Sequence, residues 1–113
     1  MSNTIPSKTY ATLTGKEKRI ETTAALAGGR QLSLTTHKTF TGELVTRASV
    51  GIVDNGFVKY LMGHDYNRQF HREKVRVTAK NIQAQHYKYL ADLDQIAEDA
   101  TRYYGVSIVK IDA

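Results

Sequence analysis

The chain has no cysteine and no tryptophan, and Pro6 is its only proline. Without cysteine there is no disulfide framework, no thiol nucleophile and no cysteine-ligated zinc. That absence fits either redox compartment, and a cytoplasmic setting is the expectation. The opening MSNTIPSKTY lacks the apolar core that a signal peptide needs. No apolar run comes near the roughly 20 residues of a membrane-spanning helix. Signatures of catalysis and cofactor binding are missing as well. The one glycine pair, Gly28-Gly29, precedes Arg30 and Gln31, so it forms neither a phosphate loop nor a GxGxxG fingerprint. There is no GxSxG elbow, and no two histidines sit four apart around a glutamate. The expectation is a non-enzymatic chain without metal or cofactor.

What remains is an ordinary globular composition. A chain of 113 residues is one domain and long enough to bury a core. Its 41% apolar and 24% charged residues argue against wholesale disorder. The net charge of +5 is unevenly spread. Residues 1–78 carry 12 basic and 6 acidic side chains, whereas residues 79–113 carry 4 and 5. The positive field therefore belongs to the first two thirds of the chain, where it favours polyanions.

Residues 1–9 read as a flexible N-terminal tail and 10–113 as the domain, with a short strand at Tyr10–Thr14. Lys16–Ala27 is open to two readings. Thr14 and Glu17 fit a capping box with Gly28 as the stop, yet Ile20, Thr22, Ala24 and Leu26 alternate with period two. The alternation favours a strand. A three-residue loop over Gly28-Gly29-Arg30 then sets Leu26 opposite Leu32 and Ala24 opposite Leu34. Leu44, Thr46, Ala48, Val50 and Ile52 form the next strand, and a loop at Asp54-Asn55-Gly56 pairs Ile52 with Val58, Val50 with Tyr60 and Ala48 with Met62. Gly63–Lys74 reads as a loop with a helical turn after Asp65, and Val75–Val77 as a brief strand. Thr78 is the expected N-cap of a helix over Ala79–Tyr104. Its apolar stripe holds Ile82, Tyr89, Leu90, Leu93, Ile96, Ala97, Ala100, Tyr103 and Tyr104, and His86 falls on that stripe as a hydrogen-bonded core histidine. Gly105 is the expected stop and Val106–Ile111 a last strand. The predicted fold is α+β: a two-layer sandwich of an antiparallel sheet of about four to six strands, one long C-terminal helix and a final short strand.

The segment Gly63–Lys80 stands out because it sets basic groups among aromatics. Arg68, Arg72, Lys74, Arg76 and Lys80 suit phosphates, and Tyr66 and Phe70 suit unpaired bases, with His71 next to Phe70. Arg68 and Arg72 share a side on a helical turn, whereas Arg72, Lys74 and Arg76 share a face on a strand. The plain alternative is a solvated loop anchored by its two rings. The predicted function is a small binding module for nucleic acid or a nucleic-acid-containing complex, with Tyr66, Arg68, Phe70, His71, Arg72, Lys74, Arg76 and Lys80 as its contacts. The alternative is a protein-interaction module, an inhibitor or adaptor open to self-association, that uses its Thr-rich sheet face or an edge strand. Under that reading the acidic outer side of the helix, with Asp92, Asp94, Glu98 and Asp99, meets a basic partner. A ribonuclease built on His64 and His71 is the weakest reading.

Overall fold

Along residues 19–26 burial alternates, with Ile20, Thr22 and Ala24 enclosed and their neighbours more open, the pattern of a strand with one face on a core. The computed structural model describes residues 6–26, 29–54, 57–59 and 66–112. Among the described residues six strands and two helices follow in chain order. They are β1 (Ser7–Thr12), β2 (Arg19–Leu26), β3 (Arg30–Lys38), β4 (Glu43–Asp54), β5 (Phe57–Lys59), β6 (Asn67–Lys74), α1 (Ala79–Leu90) and α2 (Leu93–Asp112). The sheet is antiparallel, in the order β1-β2-β3-β4-β5, with β6 also paired to β4. β4 is long enough to hold two partners end to end on one edge: residues 52–54 meet β5 and residues 43–49 meet β6.

The strand reading of Lys16–Ala27 holds in β2, and the sheet begins earlier than expected, because Ser7 already pairs with Ala24. The first hairpin keeps a three-residue connection, but over residues 27–29. Ala24 therefore faces Leu32 and Leu26 faces Arg30. A register shift of two preserves the face of every side chain, and Gly29, at φ 71°, takes the left-handed position that closes such loops. The second hairpin departs further. Ile52 pairs with Lys59, not Val58, which leaves only residues 55 and 56 between the strands. A two-residue connection is the length that suits the right-handed twist of paired strands, and it outweighs face matching here. The expected partners Tyr60 and Met62 lie outside the described residues.

The largest correction is β6. Residues 67–74 form a strand, not a loop or helical turn, because the free edge of β4 supplies hydrogen-bond partners that an isolated loop lacks. The pairing slips between Thr46–His71 and Arg47–Gln69, so Phe70 is the extra residue of a bulge. No strand forms over Val75–Val77. The expected single helix is two, broken at Ala91–Asp92. The Ala91 N–H closes on the Tyr87 carbonyl at 3.2 Å, and the Asp92 carbonyl accepts the Ile96 N–H at 3.0 Å to start α2. No strand follows. α2 runs through Gly105 to Asp112, and a helix satisfies its own backbone groups where a strand needs a sheet edge.

The helices lie on one face of the sheet. Leu32, Leu34, Ala48, Val50 and Tyr66 pack with Leu93, Ile96, Ala97 and Ala100, while Ile20, Leu44 and Val77 pack with Ile82. Polar side chains also hold α1 to the sheet. His86 is fully buried; its Nε2 lies 2.8 Å from Thr22 Oγ1 and its Nδ1 2.9 Å from Thr36 Oγ1. Thr22 in turn bonds Thr9 at 2.8 Å, and Thr36 bonds Thr46 at 2.9 Å. Hydroxyls both donate and accept, so this chain satisfies a neutral imidazole in either tautomer. Burial lowers the His86 pKa to about 4, so the ring is uncharged at neutral pH.

Candidate functional site

Three connections gather at one end of the sheet: those joining β1 to β2, β3 to β4, and β6 to α1. Between them opens a cleft of about 730 Å³ lined by Lys16, Lys18, Lys38, Lys74 and Arg76, together with Gly15, Gly42 and residues 75 and 77–79. Among the described residues no carboxylate lines it.

Each wall is held by local chemistry. In the β1–β2 connection Gly15 takes φ 82°, and the Lys18 ammonium donates to its carbonyl at 2.9 Å. The Lys38 N–H donates to the Lys18 carbonyl at 3.2 Å, which fastens this connection to the end of β3. The β3–β4 turn is closed twice over. The Gly42 N–H reaches the Thr39 carbonyl at 3.0 Å, and the Thr39 N–H reaches the Glu43 carbonyl at 2.8 Å. Gly42 sits at φ 84°, a conformation that other residues adopt only under strain. On the third wall Thr78 and Asn81 form a reciprocal cap, and Asn81 Nδ2 also donates to the Arg76 carbonyl at 2.8 Å. The backbone of Arg76 is thereby tied to α1.

The electrostatics of this end are one-sided. Three carboxylates adjoin lining residues in the chain. Glu43 pairs with Arg72 at 2.6 Å, Glu73 bonds His71 at 3.0 Å, and Glu17 lies with Lys16 and Arg19 beside a second, smaller depression. A helix N-terminus carries partial positive charge and favours acids in its first turn, yet the first turn of α1 has none and bears Lys80. The cations and the helix end therefore repel one another, a field that an anion relieves.

The residues expected from Gly63–Lys80 divide among several surroundings. Lys74 and Arg76 line the cleft, and Lys80 lies exposed just beyond it on α1. Arg72 is on the other face of the sheet from the helices, in a cross-strand row with Arg19, His37 and Val45. Burial, followed by repulsion from Arg19, Arg47 and Arg72, lowers the His37 pKa. Arg68 is on the helix side, over the Phe70 ring at 5.4 Å, because the bulge at Phe70 reverses the alternation and sets Arg68 and Arg72 on opposite faces. Phe70 stacks on Tyr89 at 5.6 Å, the Tyr89 hydroxyl donates to the Phe70 carbonyl at 3.4 Å, and His71 lies 6.5 Å from the same ring. Tyr66 is in the core, where burial raises its pKa. Tyr66 and Phe70 are thus placed to hold β6 against the helices. His64 lies outside the described residues.

Lys16, Lys18 and Lys38 were not singled out in the sequence, where 20 or more positions separate the first two from the third. Phe40 was also passed over. It stands on the β3–β4 turn with 105% relative exposure, by far the most open large apolar side chain described. An apolar residue inside a Thr-rich turn, TFTG, was the available signal. Among the described residues no group of three or more His, Asp or Glu side chains gathers as a metal site, and no helix is long and apolar enough to cross a membrane. Comparison with protein-family models, curated proteins and solved structures gives no match.

Proposed function

We propose that this chain is a small non-enzymatic module that binds nucleic acid, or a complex containing it, through the basic end of its sheet. The observation that carries this reading is the cleft lined by four lysines and Arg76 without a carboxylate, beside a helix end whose first turn has no acid. A phosphate backbone supplies repeated negative charge at low desolvation cost, and each Lys or Arg contact releases condensed counterions. Arg76 adds a planar fork suited to phosphate oxygens. Lys80, exposed on the first turn of α1, extends the positive field beside the cleft.

The test is a titration against labelled single-stranded and duplex oligonucleotides across a range of salt concentrations. Binding should weaken steeply with salt. The double variant Lys38→Ser with Arg76→Ser should bind more weakly and flatten the log–log salt slope by about 1.4 to 1.8. Affinity that ignores salt, or a double variant that binds like the parent, overturns the reading.

A second reading rests on the edge strand β1, which carries Tyr10, 58% exposed, on the sheet face away from the helices. An edge strand with an exposed tyrosine suits a protein partner or a second copy of the chain. Its test is the solution mass: an oligomer that Tyr10→Lys dissociates favours this reading, and a monomer at high concentration counts against self-association.

A further inference from the structure

We propose that Phe40 stacks on an unpaired base, so that the basic cleft takes single-stranded in preference to duplex nucleic acid. This deepens the nucleic-acid reading of the cleft and rests on it. Phe40 belongs to neither apolar cluster of the core and is fully exposed, so packing within the described fold gives no account of it. It is carried on a turn closed by two backbone hydrogen bonds and by the Glu43 N–H to Thr39 Oγ1 bond at 2.9 Å. The ring is therefore presented from a fixed base. Lys38 and Gly42, on either side of it in the chain, both line the cleft.

An exposed aromatic side chain on a turn that borders a basic groove is the arrangement that sequence-tolerant single-strand binding needs. Cations follow the backbone and the ring takes a base face. Paired bases in an intact duplex are already stacked and offer no face to an outside ring, so the duplex gains only the charge contacts. A membrane surface is the other polyanion that welcomes an exposed phenylalanine. Here, however, the cations line a concave cleft, which a strand enters and a planar array of headgroups does not.

The chain has no tryptophan, so Phe40→Trp installs a single reporter at the proposed contact. Its fluorescence should be quenched by a single-stranded thymidine oligomer. A duplex of equal length and inorganic polyphosphate should leave it nearly unchanged. Phe40→Ala should weaken single-strand binding about tenfold with the salt slope unaltered, and Phe40→Tyr should restore it. If Phe40→Ala binds the single strand like the parent and the tryptophan stays bright at saturation, while binding remains salt-dependent, stacking is wrong and the basic cleft stands. If the parent binds no nucleic acid at low salt, the cleft reading fails and this inference falls with it. A blue shift on vesicles containing phosphatidylserine, with no response to the oligomer, also overturns it and points to a membrane surface.

Discussion

Acid should destabilise this protein through His86 before most carboxylates titrate. The ring is fully buried, and burial lowers its pKa from 6.5 to about 4. Above pH 6.5 the imidazole is neutral whether the chain is folded or unfolded, so it makes no differential contribution. As pH falls below 6.5 the unfolded chain takes up the proton and the folded chain does not, and folding stability drops. Below about pH 4 both forms are protonated and this loss levels off. The full loss is about 3 kcal/mol, a large share of the ~5–15 kcal/mol that a domain has. The hydrogen bonds do not oppose protonation, since Thr22 and Thr36 can both accept; the cost is desolvation alone. The assay is urea unfolding followed by circular dichroism between pH 7.5 and 4, on the parent and on His86→Leu. The variant loses stability at pH 7.5, yet Thr22 and Thr36 keep Thr9 and Thr46 as partners, so it should still fold. His37, whose pKa is also lowered, and the carboxylates titrate in both proteins and cancel in the difference. The gap between parent and variant should shrink by about 3 kcal/mol as pH falls. A gap that stays constant from pH 7.5 to 4 would falsify the assignment, as would a His86 resonance titrating near 6.5.

Other consequences can be checked in the same unfolding assay. Thr36→Val, nearly isosteric, leaves His86 Nδ1 without its partner and should cost about 1–3 kcal/mol. Ile82→Ala opens a cavity between α1 and the Ile20–Leu44 side of the core and should cost about 2–5 kcal/mol. Thr78→Ala removes the cap of α1 and should cost about 1 kcal/mol, and it should also disturb Arg76 through Asn81. Gly42→Ala meets no atom within 4 Å, so its loss, about 1–2 kcal/mol, is backbone strain at positive φ alone. Phe40→Ala should stay within about 0.5 kcal/mol of the parent, as expected for a side chain outside the core.

The parts legible in the sequence share a single cause, a periodic apolar pattern bounded by a local signal. Ile20, Thr22 and Ala24 alternate, and they form β2. Thr78 precedes an apolar stripe, and it caps α1. His86 falls on that stripe, and it is the hydrogen-bonded core residue expected there. The misreadings fall where the pattern is absent or ambiguous. NRQFHREK has one apolar residue, and that residue occupies the bulge, so nothing in the segment announces a strand. The break before α2 depends on Asp92 acting at a helix start in the middle of a continuous stripe. Thr36 and Thr46 read as ordinary strand formers, yet they are completely buried and join His86 in the core.

Composition and local pattern account for an α+β chain with a basic first two thirds, for the faces of β2 through β4, and for the start of the helical region. Local propensity and side-chain period act within a few residues, and they suffice for those features. The assembled fold adds that β6 pairs with β4, that Tyr66 and Phe70 pack inward, and that Lys16, Lys18 and Lys38 join Lys74 and Arg76 around one cleft. Those outcomes depend on which backbone edge remains unpaired and on which connections a hairpin topology brings to the same end of a sheet. Both are properties of the assembled sheet, and no single segment carries them.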